Sequence, residues 1–299
     1  MTPDIYNDKR FGINHNSISN NALNIISRLQ KSGFQAYIVG GGIRDMIKGL
    51  KPKDFDIVTN CEPEEIRKIF RNSRIIGRRF KLVHIAFADE IIEATTFRAG
   101  GTKTTESIEI NEKGRIVRDN NWGTQEEDVL RRDLTINSIY YDPFSNEIID
   151  YTKGIKDLKD KKIKFIGNSG ERILEDPVRI LRALRFAAKL NFTIDQEIVK
   201  GIKEHGNQLL EMPPARLYEE VIKLFMTGHA EQSFIQLKAH GVFDILFPNF
   251  LDKDQKFNEF YLGAFKETDK RCKLNKKLNV GLIFAVLLWP KIYEDSSIS

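Results

Sequence analysis

The run Gln35-Ala36-Tyr37-Ile38-Val39, ending on the glycine triplet Gly40-Gly41-Gly42, constrains this chain more than any other stretch. Its apolar and aromatic residues read as a buried strand. A strand that stops on glycines and turns into a helix brings its backbone N–H groups close to whatever sits above the turn. Ile43-Arg44-Asp45 and a Lys51-Pro52-Lys53 turn follow, and then Asp54-Phe55-Asp56-Ile57-Val58, which reads as a strand over Asp54 to Val58. Strand residues two apart share a face, so Asp54 and Asp56 project together while Phe55 faces the core. Paired carboxylates offer the hard oxygen ligands that Mg2+ takes, and the glycine turn suits a phosphate chain. Alone, an Asp-x-Asp is commonly a solvated turn and a glycine triplet a flexible connection; in this order the two describe a metal-nucleotide site.

The periodicity of the chain changes near Asp150. Before it, helical patterns at Asn20 to Lys31 and Glu64 to Phe70 alternate with β-rich runs at Tyr37 to Val39, Asp56 to Thr59, Leu82 to Ala86 and Ile91 to Phe97, the mark of an α/β region. After it, apolar residues recur at three-to-four spacing over Glu175 to Leu190, Asp195 to His205, Pro213 to Thr227, Glu231 to His240 and Leu278 to Leu288. Asp195 is a candidate N-cap. The fold class expected is therefore α+β, with domains at 1–150 and 151–299. Ala99 to Arg118, mixing Gly, Thr, Lys, Glu and Asn, reads equally as a mobile loop or a surface hairpin.

Charge adds a mild constraint: 47 Lys+Arg against 42 Asp+Glu gives a net charge of +5, which fits a polyanionic partner without demanding one. Cys61 and Cys272 lie far apart and in no Cys-x-x-Cys or Cys/His cluster, which argues against zinc, a disulfide framework or a disulfide-linked partner. Reduced thiols suggest the cytoplasm. The polar N-terminus carries no cleavable signal, and the apolar run Val280 to Trp289 is too short to span a bilayer, so no membrane partner is expected.

Four ordered segments resemble the signatures of the class II nucleotidyltransferases, the group of bacterial poly(A) polymerase and the tRNA CCA-adding enzymes. They are Gly40-Gly41-Gly42-Ile43-Arg44-Asp45; Asp54-Phe55-Asp56-Ile57-Val58-Thr59; Arg131-Arg132-Asp133-Leu134-Thr135-Ile136-Asn137; and Glu175 to Phe186. The likeness runs from about Ser17 to Pro290. It implies a nucleotidyltransferase palm of mixed sheet and helices, then an all-helical neck and body binding nucleotide and RNA. Asp54 and Asp56 would hold two Mg2+ ions, one activating the attacking hydroxyl and one neutralising the leaving pyrophosphate. Gly41, Gly42 and Arg44 would hold the triphosphate, with Arg98 assisting. Glu93, which by itself reads as a solvent-facing strand residue, becomes a third acid beside the pair. Arg132, otherwise half of a solvated ion pair, becomes a nucleotide contact through its planar fork, and Asp133 one of the active-site acids.

Within Glu175 to Phe186, Asp176 and Arg179 are spaced as helix neighbours, and Arg182 and Arg185 continue the row. Spacing alone reads as a surface ion-pair ladder. The resemblance implies instead a protein template, with Asp176 accepting from an exocyclic amino group, Arg179 donating to a ring nitrogen, and Arg182 and Arg185 contacting nucleotide. Adenine and cytosine share that pattern, so the pair does not separate ATP from CTP. Ile75 to Phe87, Asn137 to Tyr141, Gly154 to Asp160 and Pro213 to Glu220 resemble the poly(A) polymerase versions of their regions. Arg78, Arg79 and Lys81 form a basic cluster suited to RNA phosphates, with Phe80 available for stacking, and His84 reads as structural. The implied activity is template-independent transfer of AMP from ATP to RNA 3′ ends. CCA addition to tRNA and a catalytically silent RNA-binding module are the alternatives. The family's poly(A) polymerases continue into further helices and a basic tail, so weak, distributive RNA holding is expected of a chain ending at Ser299.

Overall fold

The computed structural model describes residues 1–77, 81–100, 108–110, 116–119, 121–248 and 257–297. Internal contacts divide the chain into two units, Met1–Asp160 and Lys161–Ser299, so the boundary falls after Asp160 rather than at the change of periodicity near Asp150.

The first unit runs β1 (Asp4–Asn7), α1 (Asn20–Lys31), β2 (Ala36–Val39), α2 (Gly41–Ile47), β3 (Asp56–Thr59), α3 (Pro63–Ile69), β4 (Ser73–Ile76), β5 (Leu82–Ala86), β6 (Ile91–Thr96), β7 (Ile108–Ile110), β8 (Ile116–Asp119), α4 (Gln125–Arg131), β9 (Ile139–Asp142), β10 (Glu147–Asp150) and α5 (Gly154–Lys159). Eight of these strands form one mixed sheet in the order β1-β10-β9-β2-β3-β6-β5-β4. β3 and β6 run parallel in it, and β1 lies antiparallel to β10 with Asp4 opposite Asp150. β7 and β8 form a separate antiparallel pair that takes in the end of Ala99 to Arg118 and Asp119 beyond it; the other residues of that segment from 101 on lie outside the described ones.

Local chemistry sets these elements. Ser19 caps α1 by accepting from the Asn21 and Ala22 N–H groups, and Ala22, Ile25, Ile26 and Leu29 bury one stripe of it. Thr124 and Glu127 close a capping box at the start of α4, which points Asp128 and Val129 inward. Val39, Val58, Phe97, Val129, Tyr140 and Ile149 meet in a buried cluster beside the sheet. The strand expected from Asp54 begins only at Asp56: Val39, the last residue of β2, pairs with Asp56, and Gly40 then turns the chain away, leaving Asp54 no ladder partner. The alternation holds nonetheless, with Phe55 buried between exposed Asp54 and Asp56.

The second unit is helical apart from one parallel pair of two-residue strands. It runs β11 (Lys162–Ile163), α6 (Ser169–Glu175), α7 (Val178–Leu190), β12 (Thr193–Ile194), α8 (Gln196–His205), α9 (Pro214–Phe225), α10 (Ala230–Ala239), α11 (Val242–Leu246), α12 (Asn258–Lys273) and α13 (Val280–Ser297). Asp195 caps α8 as expected, accepting from Glu197 N–H. Phe225, Phe234, Tyr261 and Phe265 stack into the core of this unit, with the Phe225 and Phe265 ring centroids 4.5 Å apart. Two helical readings are corrected. The run from Glu175 is broken at Asp176, which is extended (φ −152°, ψ 93°) because Pro177 disfavours helical geometry in the residue before it. The last helix continues through Pro290, where the ring removes a donor, and Tyr261 Oη donates to the Leu287 carbonyl at 3.0 Å. Among the described residues no helix is long and apolar enough to cross a membrane.

Candidate metal and nucleotide site

The glycine turn and the acidic segment are in contact. Gly40 has φ 79° and ψ −130°, a conformation that side chains rarely adopt, and a Cβ placed there would lie 3.5 Å from Asp56 Oδ2. A Cβ on Gly42 would lie 3.2 Å from the Asp54 carbonyl oxygen and 3.4 Å from Phe55 Cδ1. Glycine is therefore required for the turn to press against the segment carrying the two carboxylates. Parallel pairing of β3 with β6 then sets Glu93 opposite Asp56, and β5 sets His84 opposite Glu93, with Nε2 and Oε1 3.2 Å apart. His84 is thus a hydrogen-bonded histidine, in keeping with the structural reading, and its partner is Glu93.

Electrostatics mark Asp56 as the focus. Its carboxyl is pushed above the usual range by desolvation first, then by the Glu93 and Asp54 charges, while Arg132 pulls it down. Its side chain still meets solvent, so the desolvation reflects surrounding protein rather than full enclosure. An anionic cluster that raises its own member is short of positive charge. Among the described residues no group of three or more His, Cys, Asp or Glu is arranged to hold a metal; the donors that Asp54 and Asp56 offer are hard carboxylate oxygens. That suits Mg2+, which keeps several waters and takes further oxygens from substrate phosphates. The residues fit the ion on that ground.

Arg132 is held by Asp128 and Tyr140. Its Nε lies 3.0 Å from Asp128 Oδ2 and 3.1 Å from Tyr140 Oη, and Tyr140 Oη donates to the same Asp128 oxygen at 2.7 Å. Burial alone would lower the Arg132 pKa, but the Tyr140 and Asp128 oxygens reverse that and raise it. Asp133, next along, accepts from the Leu134 N–H at 2.8 Å. Arg44 is 2% exposed, with Nε and Nη2 on Asp45 Oδ1 at 2.9 and 2.8 Å and Nη1 on Asn137 Oδ1 at 2.7 Å. Its guanidinium lies close to the turn, with Nη2 3.5 Å from where a Gly41 Cβ would stand. The Arg98 amide donates to Asp128 Oδ1 at 3.3 Å. Arg78, Arg79 and Phe80 of the expected RNA cluster lie outside the described residues, and Lys81 pairs with Glu64 at 2.8 Å.

In the second unit, Asp176 and Arg179 are not successive residues of one helix, since Asp176 sits in the break before α7. Asp176 Oδ2 receives Arg216 Nη2 at 2.9 Å, while its Oδ1 is buried with no hydrogen-bond partner. Arg179 is buried, with Nη1 on Glu175 Oε2 at 2.7 Å and the Arg172 carbonyl at 2.9 Å, so it is no member of a wet ladder. Arg185 Nε is 3.5 Å from Glu220 Oε2, and both Arg182 and Arg185 lie over the Phe186 ring. Sequence reasoning missed Asp128, Tyr140 and Asn137. Asp128 could have been found as the carboxylate one helical turn before Arg132.

Residues 36–164 match the family described as the poly A polymerase head domain, and residues 191–253 the family described as the probable RNA and SrmB-binding site of polymerase A. Poly(A) polymerase I of Salmonella typhi is 41% identical over 96% of this chain, which covers 63% of that relative. A CCA-adding enzyme of Streptococcus uberis is 37% identical over 74% of this chain and 53% of the relative. Among solved structures, a tRNA nucleotidyltransferase complexed with a primer tRNA and an incoming ATP analog superposes with a TM-score of 0.69 at 26% identity, over 88% of this chain and 74% of that one. The chain thus spans less than two thirds of the length of its Salmonella relative. With the glycine turn, the two aspartates and the helical second unit in the family's order, this chain belongs to the poly(A) polymerase and CCA-adding enzyme family of nucleotidyltransferases.

Proposed function

We propose that this chain transfers AMP from ATP to RNA 3′ ends without a nucleic-acid template, releasing pyrophosphate, in a cytoplasmic setting. The observation that carries the reading is Asp56, set between Asp54 and Glu93 and pressed against the Gly40 to Gly42 turn, in a chain 41% identical to a poly(A) polymerase I. Bound Mg2+, up to two ions on Asp54 and Asp56, supplies positive charge to the triphosphate and to the attacking 3′ hydroxyl. The backbone N–H groups of Gly41 and Gly42 cradle phosphate oxygens, and the buried Arg44 guanidinium adds positive charge close to Gly41. Arg132, fixed at its inner edge, offers positive charge to the nucleotide beside Asp56. Glu93 holds the acids' field in place against His84, and Asp133 shapes the backbone that follows Arg132. Asp176 and Arg179, with Arg182 and Arg185, read the base and hold the nucleotide, and the buried, unpartnered Asp176 Oδ1 supports an acceptor awaiting a donor. Adenine offers that donor, and so does cytosine.

Addition of C and A to tRNA is the second reading, favoured by the fold likeness to tRNA nucleotidyltransferases. Incubation with Mg2+, each NTP singly, and either a generic RNA or a tRNA lacking its CCA end separates the two. A ladder of A residues on generic RNA is expected; addition restricted to tRNA, or C inserted before A, refutes the adenylyl reading.

A further inference from the structure

We infer that Tyr140, Asp128 and Asn137 are positioning residues, and that the short stretch from Asn137 to Tyr140 fixes both arginines of the nucleotide site. The inference rests on the nucleotide-site reading above. Tyr140 is fully buried, its ring centroid 6.2 Å from Tyr37 and 6.4 Å from Phe97, so its hydroxyl occupies a place set by the core. From there it donates to Asp128 Oδ2 at 2.7 Å and receives Arg132 Nε at 3.1 Å, while Arg132 Nη2 reaches the same carboxylate at 2.9 Å. The guanidinium carbon lies 5.3 Å from the Tyr140 ring centre. Three residues earlier, at the end of a 3-10 turn (Thr135–Asn137), Asn137 is 8% exposed and takes Arg44 Nη1 at 2.7 Å.

A core needing only volume at these places would use Phe and an apolar residue, because a buried hydroxyl, amide or carboxylate costs free energy unless it is paired. Here each is paired, and all three accept from an arginine: Tyr140 and Asp128 from Arg132, Asn137 from Arg44. Arginine loses considerable rotamer freedom when it is held, so a pre-set guanidinium spares the nucleotide that ordering cost. Asn137 holds the Nη1 end of the Arg44 guanidinium, whose Nε and Nη2 rest on Asp45, and Tyr140 and Asp128 hold Arg132, whose charge acts on Asp56. Asn137 ends the turn that leads into β9 and Tyr140 is the second residue of that strand, paired with Val39 of β2, so three residues of chain separate the two anchors.

Tyr140→Phe and Asn137→Ala test this, each removing one anchor. The readouts are the affinity for inorganic tripolyphosphate with Mg2+ by calorimetry, KM and kcat for ATP on RNA, and Tm. Loss of a hydrogen bond to a charged group predicts about ten-fold weaker tripolyphosphate binding and a similar rise in KM for ATP in Y140F, with kcat reduced less and Tm nearly unchanged. In an Arg132→Ala background Y140F should have no further effect on binding. Unchanged affinity in Y140F, or an equal loss in the R132A background, overturns the inference. Wild-type protein that binds tripolyphosphate, with Y140F weakened, yet adds no adenylate refutes the proposed function and upholds the positioning role. Wild-type protein that fails to bind tripolyphosphate overturns both.

Discussion

Gly42→Ala should damage the site more than the fold. The new Cβ would meet the Asp54 carbonyl oxygen at 3.2 Å and Phe55 Cδ1 at 3.4 Å, with Ile38 Cγ2 at 3.6 Å behind. Two of these contacts are tight, and the tightest is to backbone, so relief requires the Asp54 to Asp56 segment to move by a few tenths of an ångström. Overpacking of this kind costs about 1 to 3 kcal/mol. For a unit of this size that lowers Tm by roughly 2 to 4 °C per kcal/mol. A displacement of 1 Å at a reacting centre costs about a hundred-fold in rate, so a shift of a few tenths predicts a fall of about ten-fold. The control is Gly41→Ala, whose Cβ meets only Arg44 Nη2 at an ordinary 3.5 Å and gains helix propensity. Thermal denaturation and single-turnover AMP incorporation measure both variants. Wild-type Tm and rate in G42A, or an equal loss of Tm in G41A, would refute the packing argument.

Asp56→Asn should raise Tm at neutral pH without divalent cation, because the raised folded pKa of Asp56 means that its ionised form disfavours the native state. That penalty is absent below the usual carboxylate pKa and complete above the raised one, so the gain should vanish as pH falls through that window; since the side chain meets solvent, the gain is below about 1 kcal/mol. A difference in Tm that persists at pH near 3 would refute it. Asp176→Ala should lower discrimination among NTPs by about 1 to 3 kcal/mol while leaving RNA affinity near wild type, measured as incorporation ratios and by filter binding. Unchanged NTP preference with weakened RNA binding would make Asp176 a partner of Arg216 and nothing more.

What the sequence made legible was local. The alternation Asp54, Phe55, Asp56 is a property of extended backbone and survives even where the strand has not begun. The N-cap at Asp195, and the change from β-rich runs to helical spacing, are likewise short-range. The break at Asp176 was available too, since Pro177 stood in the sequence, but the run of Arg at helical spacing after it outweighed that signal. Arg44 shows the opposite case: the resemblance made it a triphosphate contact, and its burial, held by its neighbour Asp45 and by Asn137 far along the chain, could not be read from the residues beside it. Tyr140 was hidden for the same reason, because a tyrosine in an apolar strand gives no sign of where its hydroxyl lands.

The pairing of β1 with β10 has a consequence for synthesis. Asn7 to Asp4 lie against Glu147 to Asp150, so the strand that leaves the ribosome first must wait for nearly the whole unit before its partner exists. β2 likewise receives β9 on one side only after the intervening strands have been made. Pairings of such long separation are slow to close and leave strand edges open meanwhile. Nascent chains halted before residue 150 should therefore remain protease-sensitive and recruit holding chaperones, and protection should arrive in one late step rather than strand by strand.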